Sequence, residues 1–372
     1  MEIGVISSFR SNCGIGLYTF QFLKCLLGYK NVREVHLLTH IDSDLLLPSR
    51  KLKIYKIIDE RYPFYVPKML DLVMKIKPDV IEIEWDHSLY SPTELLGTYI
   101  FPLLLYLREK TFISFHSLYR IEDVEHSITK ITGNKLLGEV GSKYYSFTKL
   151  FLLNNLNIGR VFTLYEHEQV KKIKKKFVLI PHGIDKIKSM SKVRKDATTL
   201  TIFGFIRKTK DYELAIKSLS FLPKNFRLVI AGQPVEKGLV DKIKKWIKQY
   251  KVRNRVVFIP KFLSSREKER LMEKSDILLL PYLLISTSGV LLDCIKYCRP
   301  VVSTVLQEDI SHLKIGLYSK SEAEEFAEAI FAVKSRYEDF LENISGSTKI
   351  FMEKYNTANI RKLSKDCKQV IE

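Results

Sequence analysis

Cysteine is scarce in this chain of 372 residues, and what there is forms no framework. The five thiols, Cys13, Cys25, Cys294, Cys298 and Cys367, are odd in number and widely spaced, unlike the pattern of a disulfide-stapled secreted domain. Cys294 and Cys298 stand one helical turn apart, without CxxC spacing and without a second Cys/His pair. They read as small buried hydrophobes rather than zinc ligands. Long apolar runs are missing too. The longest, Leu95 to Leu107, is 13 residues, whereas a membrane-spanning helix needs about 20. Met1 leads straight into the apolar run Ile3 to Ile6 with no basic region before it, which reads as a strand and not as a signal peptide. The expected location is therefore cytoplasmic, with at most a peripheral contact on the inner membrane face.

Acidic residues are in deficit. Sixty-one Lys and Arg face 42 Asp and Glu, a formal net charge of +19. This excess attracts polyanions: phosphates, an anionic membrane surface or nucleic acid. A solvated basic surface explains it equally well. No nucleic-acid reading module is present and the aromatics are not interleaved with the basic runs, so nucleic acid is not an expected partner. Apolar residues make up 46% of the chain, enough for packed cores, and the length calls for two domains rather than one.

Short apolar runs alternate with amphipathic helical stretches. Strands are expected at Ile3–Ser7, Val35–Leu38, Val80–Glu84, Phe112–Phe115, Val161–Leu164 and Val178–Ile180. Helices are expected at Leu17–Leu27 and Pro67–Ile76. Strands apolar on both faces and joined by helices imply a parallel doubly wound sheet. A polar stretch rich in Lys and Ser, Asp185 to Thr199, reads as a linker. A second series follows, with strands at Leu200–Phe203, Leu228–Ala231, Val256–Phe258, Ile277–Leu280 and Val301–Ser303. Helical patterns separate them at Asp211–Leu219, Val235–Tyr250, Arg266–Lys274 and Gly289–Tyr297. From Ser321 onward the pattern is helical only. The expected architecture is α/β: two tandem Rossmann-like doubly wound domains with an interdomain cleft. The expected boundaries are 1–185, 186–350, and a C-terminal helix, 351–372, packing back on the first domain.

Several loops carry candidate chemistry. Gly14 and Gly16 open a helix after the first strand, where backbone N–H groups and the helix dipole favour an anion. The motif is not GxGxxG, since Thr19 holds the last position, and no acidic residue ends the second strand, so a nicotinamide site is not expected. His116 follows an apolar strand and is expected to project from its carboxyl end, in reach of a sugar hydroxyl or phosphate. His87, together with Glu84, is a weaker candidate. In Pro181 to Asp185, "IPHGID", a rigid turn marks a hinge. Arg207 and Lys210, in "FGFIRKTKDYELAI", stand between a strand and a helix as a pyrophosphate clamp. Ser286, Thr287, Ser288 and Gly289 precede another helix and leave N–H groups for a diphosphate, with Asp293 one turn inside.

In order, "GIGLYT", "SFHS", "IPHGID", "FGFIRKTKDYELAI", "VVFIPKFLSSREKERLMEKSDILLLPY" and "SGVLLDCIKYCRPVVST" resemble the retaining GT-B-fold glycosyltransferases, the glycosyl transferases group 1 (family 4) class. The resemblance runs over nearly the whole chain. It implies transfer of a hexose-type sugar from a nucleoside diphosphate sugar to a glycan or lipid-linked acceptor, with retention. It places Gly14 and Gly16 near the donor phosphates and the acceptor, His116 beside the donor sugar, and Arg207 and Lys210 on the diphosphate. Asp293 takes the position of the second Glu of a Glu-x7-Glu motif that holds the ribose, and Ser288, Gly289 and Val290 form the turn facing the phosphates. The first Glu of that motif is replaced by Ile285. No cofactor and no metal are expected, since no DxD-like acidic pair is evident. The alternative left by Ile285 is a non-catalytic GT-B protein that binds a nucleotide or a partner. The lysine-rich "VKKIKKKF" (Val170–Phe177), the apolar stretch Leu95–Leu107 and "YYSFTKLFLL" (Tyr144–Leu153) suit a lipid-linked acceptor at an anionic membrane, although plain core helices account for the last two as well.

Overall fold

The computed structural model describes residues 1–91, 98–156, 158–173, 176–180, 182, 198–285, 288–305 and 307–355. Two compact units divide the chain between Pro181 and His182.

In the first unit, strands and helices alternate: β1 (Glu2–Ile6), α1 (Gly14–Leu27), β2 (Glu34–His40), β3 (Leu52–Ile58), α2 (Tyr65–Ile76), β4 (Val80–Trp85), α3 (Phe101–Leu107), β5 (Thr111–Phe115), α4 (Ile121–Thr132), α5 (Lys135–Asn155), β6 (Ile158–Val161), α6 (Leu164–Lys171) and β7 (Lys176–Leu179). The seven strands form one parallel sheet in the order β3-β2-β1-β4-β5-β6-β7. The strand order reverses between β1 and β4, a topological switch point at whose carboxyl end ligands of such sheets bind. Two apolar clusters cover the sheet. One holds Val5, Phe22, Leu23, Val80 and Phe112; the other holds Ile81, Ile83, Trp85, Ile113 and Phe115. Side chains alternate between these faces along each strand.

Pure apolar alternation fails on β4. Glu82 and Glu84 are buried on the face of Val80 and Phe112. β3 was not anticipated from the sequence. It is the edge strand, and its Lys53 and Lys56 break the apolar run. The expected strand Val161–Leu164 starts earlier and ends at Val161, because Thr163 caps α6 with a capping box completed by Glu166.

The second unit comprises β8 (Thr198–Phe203), α7 (Tyr212–Ser218), β9 (Phe226–Ala231), α8 (Leu239–Gln249), β10 (Val256–Ile259), α9 (Ser265–Lys274), β11 (Ile277–Leu280), α10 (Gly289–Lys296), β12 (Val301–Ser303), α11 (Gln307–Leu313), β13 (Gly316–Tyr318), α12 (Ala323–Ser335) and α13 (Tyr337–Tyr355). Its six parallel strands run β10-β9-β8-β11-β12-β13, so its switch point lies between β8 and β11. One continuous core includes Leu228, Ile230, Leu278, Val301, Phe326 and Ile330. Tyr337, Phe340, Leu341 and Ile344 seat the start of α13 on this core. β13, three residues long, gave no sequence signal. The expected linker ends earlier than Thr199, because Thr198 and Thr199 already belong to β8; the rest of it and the hinge residues other than His182 lie outside the described residues. So does most of the tail expected to pack back on the first unit, residues 356–372.

Candidate active site

The loops after β8 and β11 flank the switch point of the second unit, and backbone bonds lock them together. Asp211 N donates to Pro281 O at 2.6 Å, and Leu283 N donates to Thr209 O at 2.8 Å. Asp211 then caps α7 by accepting from Leu214 N at 3.0 Å. These bonds bring Lys210 beside Tyr282, its ammonium 5.5 Å from the ring centre. Lys210 Nζ donates to the carbonyls of Phe203 (2.9 Å) and Phe205 (3.0 Å). Gly204 lies between them with φ +99°, a left-handed conformation that glycine adopts at little cost. A side chain there would sit 3.4 Å from Lys210 Nζ and 3.5 Å from Val290 Cγ2. The bare face of Gly204 is therefore flanked by Lys210 and the first turn of α10.

Ser288 caps α10, its hydroxyl accepting from Leu291 N at 3.2 Å. Gly289 is exposed and faces open space. A helix start without a side chain in the way suits an anion. Ser286 and Thr287 lie outside the described residues. Arg207 leans over Phe205, 5.5 Å from the ring centre. Among the described residues, neither Arg207 nor Lys210 has a carboxylate within ion-pair distance. Burial, and then the neighbouring Arg207, pushes the Lys210 ammonium down to about 7. Ile285 is partly buried against the apolar core.

Asp293 is buried one turn inside α10 and ion-pairs with Lys268 of α9 at 2.7 Å. Lys268 also stands 5.2 Å from the ring centre of Phe203. Burial raises the Asp293 carboxyl against the opposing pull of Lys268. Lys268 was not singled out from the sequence. It is one of several charges on the polar helix SREKERLMEK, and only the fold reveals its partner.

The first unit holds the other candidates. Gly14 starts α1, exposed and facing open space. Gly16 serves packing instead: a Cβ there would collide with the Arg10 backbone folded over it. Arg10 is held in turn by Glu60 at 2.9 Å. His116 follows β5 as expected, but the ring is enclosed rather than projecting. It stacks on Phe162 with centroids 4.5 Å apart and meets the edge of Tyr18 at 5.1 Å. Its Nε2 lies 2.7 Å from Glu84 Oε2. Burial, and then Arg160, pushes the imidazole down to about 3, so the ring is neutral. His87 is buried as well, its Nδ1 2.9 Å from Ser117 Oγ. One group among the described residues, Glu2, Glu34 and His36, has ligand atoms close enough for a metal ion. It lies at the amino ends of β1 and β2, away from His116, and Arg33 and Lys53 already pair with its carboxylates at 2.6 and 2.8 Å.

Two parallel sheets with switch-point loops of this kind define the GT-B class of fold. Solved structures bear this out over the whole chain. Sucrose-phosphate synthase from Thermosynechococcus elongatus superposes with a TM-score of 0.74 at 14% identity, covering 100% of this chain and 99% of that one. HepE of Anabaena, in complex with UDP and glucose, gives 0.66 at 13% identity, over 99% and 100%. The Escherichia coli trehalose-6-phosphate protein bound with UDP-2-fluoro glucose gives 0.65 at 9% identity, over 99% of each. Comparison with curated sequences gave no match. Residues 183–344 match the family Glycosyl transferases group 1. The second unit thus matches the group 1 glycosyl transferases over most of its length, and the whole chain shares the fold of the GT-B glycosyltransferases.

Proposed function

We propose that this chain is a glycosyltransferase that moves a hexose-type sugar from a nucleoside diphosphate sugar to a glycan or lipid-linked acceptor, with retention at the anomeric carbon. The observation that carries this reading is the pair Arg207 and Lys210, two cations without a carboxylate partner among the described residues, in the same loop system as the open start of α10. A departing nucleoside diphosphate gains negative charge as the glycosidic bond breaks. Donors fixed where that charge develops accelerate the step. Arg207 supplies a planar fork, Lys210 a point charge, and Ser288, Gly289 and Val290 the N–H groups of the helix start. Gly14 and Gly16 stand near the donor phosphates and the acceptor, and His116 beside the donor sugar, as the resemblance implies. This clamp takes the place of a metal ion. Two structural neighbours bind UDP with glucose or a fluoroglucose, which favours a UDP-sugar as donor.

The test is a thermal-shift screen with UDP-, GDP- and ADP-sugars in EDTA, followed by transfer assays. A ligand that binds only the folded chain adds about 2.7 kcal/mol at a hundred times its Kd. The UDP-sugar is expected to raise the melting temperature, and Arg207→Ala with Lys210→Ala is expected to abolish that rise. Turnover should fall by about 10²–10³-fold for each lost donor. Unchanged binding in the double variant refutes the clamp. Ile285, which removes the first motif Glu, favours the second reading, a nucleotide-binding protein without turnover; binding with no transfer or hydrolysis of any donor selects it.

A peripheral membrane contact belongs to the same proposal. Among the described residues no helix is long and apolar enough to cross a membrane. On α5, however, Leu136, Val140, Lys143, Phe147 and Leu150 are all exposed and recur at helical spacing along one stripe. The opposite face buries Gly138, Gly141, Tyr145, Thr148 and Leu152. An apolar stripe that carries a lysine fits the surface of an anionic bilayer, where a lipid-linked acceptor resides. Anionic liposomes are expected to pellet the protein at low salt, and Phe147→Glu with Leu150→Glu to cut the bound fraction about tenfold. Equal pelleting of the variant rules out this face.

A further inference from the structure

Beneath α1 two acidic side chains are buried around a single arginine. Glu82 and Glu84 of β4, Ser114 and His116 at β5, and Arg160 of β6 all lie on one face of the sheet. Arg160 Nη2 sits 3.1 Å from Glu82 Oε1 and 3.2 Å from Glu84 Oε1, and its Nε donates to Ser114 Oγ at 2.8 Å. Ser114 also donates to Glu82 Oε1. The rings of Tyr18, Phe22 and Phe162 enclose the guanidinium at 5.1–5.4 Å. Every charged member is almost wholly buried. Two carboxylates therefore share one guanidinium in an apolar setting, where an unneutralised charge is expensive. Burial raises both carboxyls against the opposing pull of Arg160.

One ionised carboxylate suffices to neutralise Arg160, so the second acid keeps a proton, and Glu82 is raised further than Glu84. Glu84 differs from Glu82 in one respect: its other oxygen, Oε2, is bonded to His116 Nε2 at 2.7 Å. A carboxylate behind an imidazole fixes its ring orientation and its tautomer.

We propose that Glu84 is a positioning residue, anchored by Arg160, that locks His116 Nε2 and so sets the ring edge offered to the transferred sugar. This rests on the reading that His116 contacts the sugar. Glu84 itself touches no substrate. Phe162, stacked on the ring, holds its plane while Glu84 sets its rotation.

The test uses the full chain and two variants. Glu84→Leu removes the bond but keeps the volume and leaves Arg160 paired with Glu82, so the fold should persist. Glu84→Gln keeps a hydrogen-bonding partner for Nε2. Ring-nitrogen shifts of ¹⁵N-histidine-labelled protein, with His116 assigned by His116→Gln, report the tautomer without need of a substrate. A single His116 tautomer is expected in the parent and in Glu84→Gln, and averaged ring signals in Glu84→Leu. With UDP-glucose as donor, release of UDP should show kcat lowered about 10–100-fold by Glu84→Leu. KM should stay within about threefold, and Glu84→Gln should recover most of the rate. Combining Glu84→Leu with His116→Ala should cost no more than His116→Ala alone, because both act through one ring. Unchanged His116 signals in Glu84→Leu overturn the proposal, whether or not UDP-glucose is turned over. So does additive loss in the double variant. Full activity of His116→Ala instead overturns the functional reading of the histidine and leaves the tautomer result to judge Glu84.

Discussion

The two units share a topology but treat buried charge in opposite ways. In the first, Arg160 is met by two carboxylates and walled in by three rings. In the second, Lys210 is nearly as buried, yet among the described residues backbone carbonyls and the Tyr282 ring meet it in place of a carboxylate, and the next cation, Arg207, repels it. A charge neutralised within the protein is part of a scaffold. A buried cation left to carbonyl dipoles is a vacancy for an anion, since an added anion relieves the burial cost and the repulsion together. On the proposed reading, the first unit holds a ring in place and the second receives charge from outside.

That contrast is sharpest in the pH dependence of nucleotide binding. Lys210 in the empty protein is held down to about 7, and a bound diphosphate favours its charged form. Its pKa therefore rises on binding. Below pH 7 the ammonium is present beforehand and affinity is flat with respect to this group. As pH climbs above 7, binding must take up a proton, and affinity should fall by up to about tenfold per pH unit until the pKa of the complex is reached. Titration calorimetry of UDP in buffers of different ionisation enthalpy, from pH 6.5 to 9, reads this proton uptake. Lys210→Met should flatten the profile, whereas Glu84→Leu, in the other unit, should leave it unchanged. A pH-independent affinity in the parent chain breaks the comparison, because it means that Lys210 meets no ligand charge.

The sequence made one side of this contrast much easier to read than the other. Arg207, Lys210, Ser288 and Gly289 sit in loops after apolar strands, where position along the chain nearly fixes position in space. Loops at a sheet's switch point are brought together by topology alone. The network of the first unit is different. Arg160 meets Glu82 across 78 residues and Glu84 across 76, and nothing local predicts it. Two glutamates in "VIEIEW" look like the polar side of a half-exposed strand until the sheet buries both faces. His116 was placed correctly in the chain but not in its surroundings, since strand ends predict direction and say nothing about which rings close over a side chain. β3 was missed for the converse reason, because an edge strand tolerates the lysines that hide its pattern.

The pair Lys268 and Asp293 tests whether the contrast holds within the second unit itself. Beside the clamp, this pair is a buried acid already answered by a base, at 2.7 Å. If Asp293 receives the ribose, Lys268 has two tasks: it keeps the buried carboxylate ionised, and it holds one oxygen so that the other is turned toward a hydroxyl. Lys268→Met removes both while preserving the stem that packs near Phe203. Burial already raises the Asp293 carboxyl, and without Lys268 it rises further, which weakens it as an acceptor. The expected loss is the difference between a hydrogen bond to a charged group and one to a neutral group, so UDP should bind about five- to tenfold more weakly. 2′-Deoxy-UDP and 3′-deoxy-UDP sharpen the result. The parent chain should prefer UDP over at least one of them, and Lys268→Met should bind all three nearly alike. A variant that keeps the parent's preference shows that Lys268 only balances charge, in which case the pair belongs with the self-neutralised scaffold and the receiving surface ends at Val290.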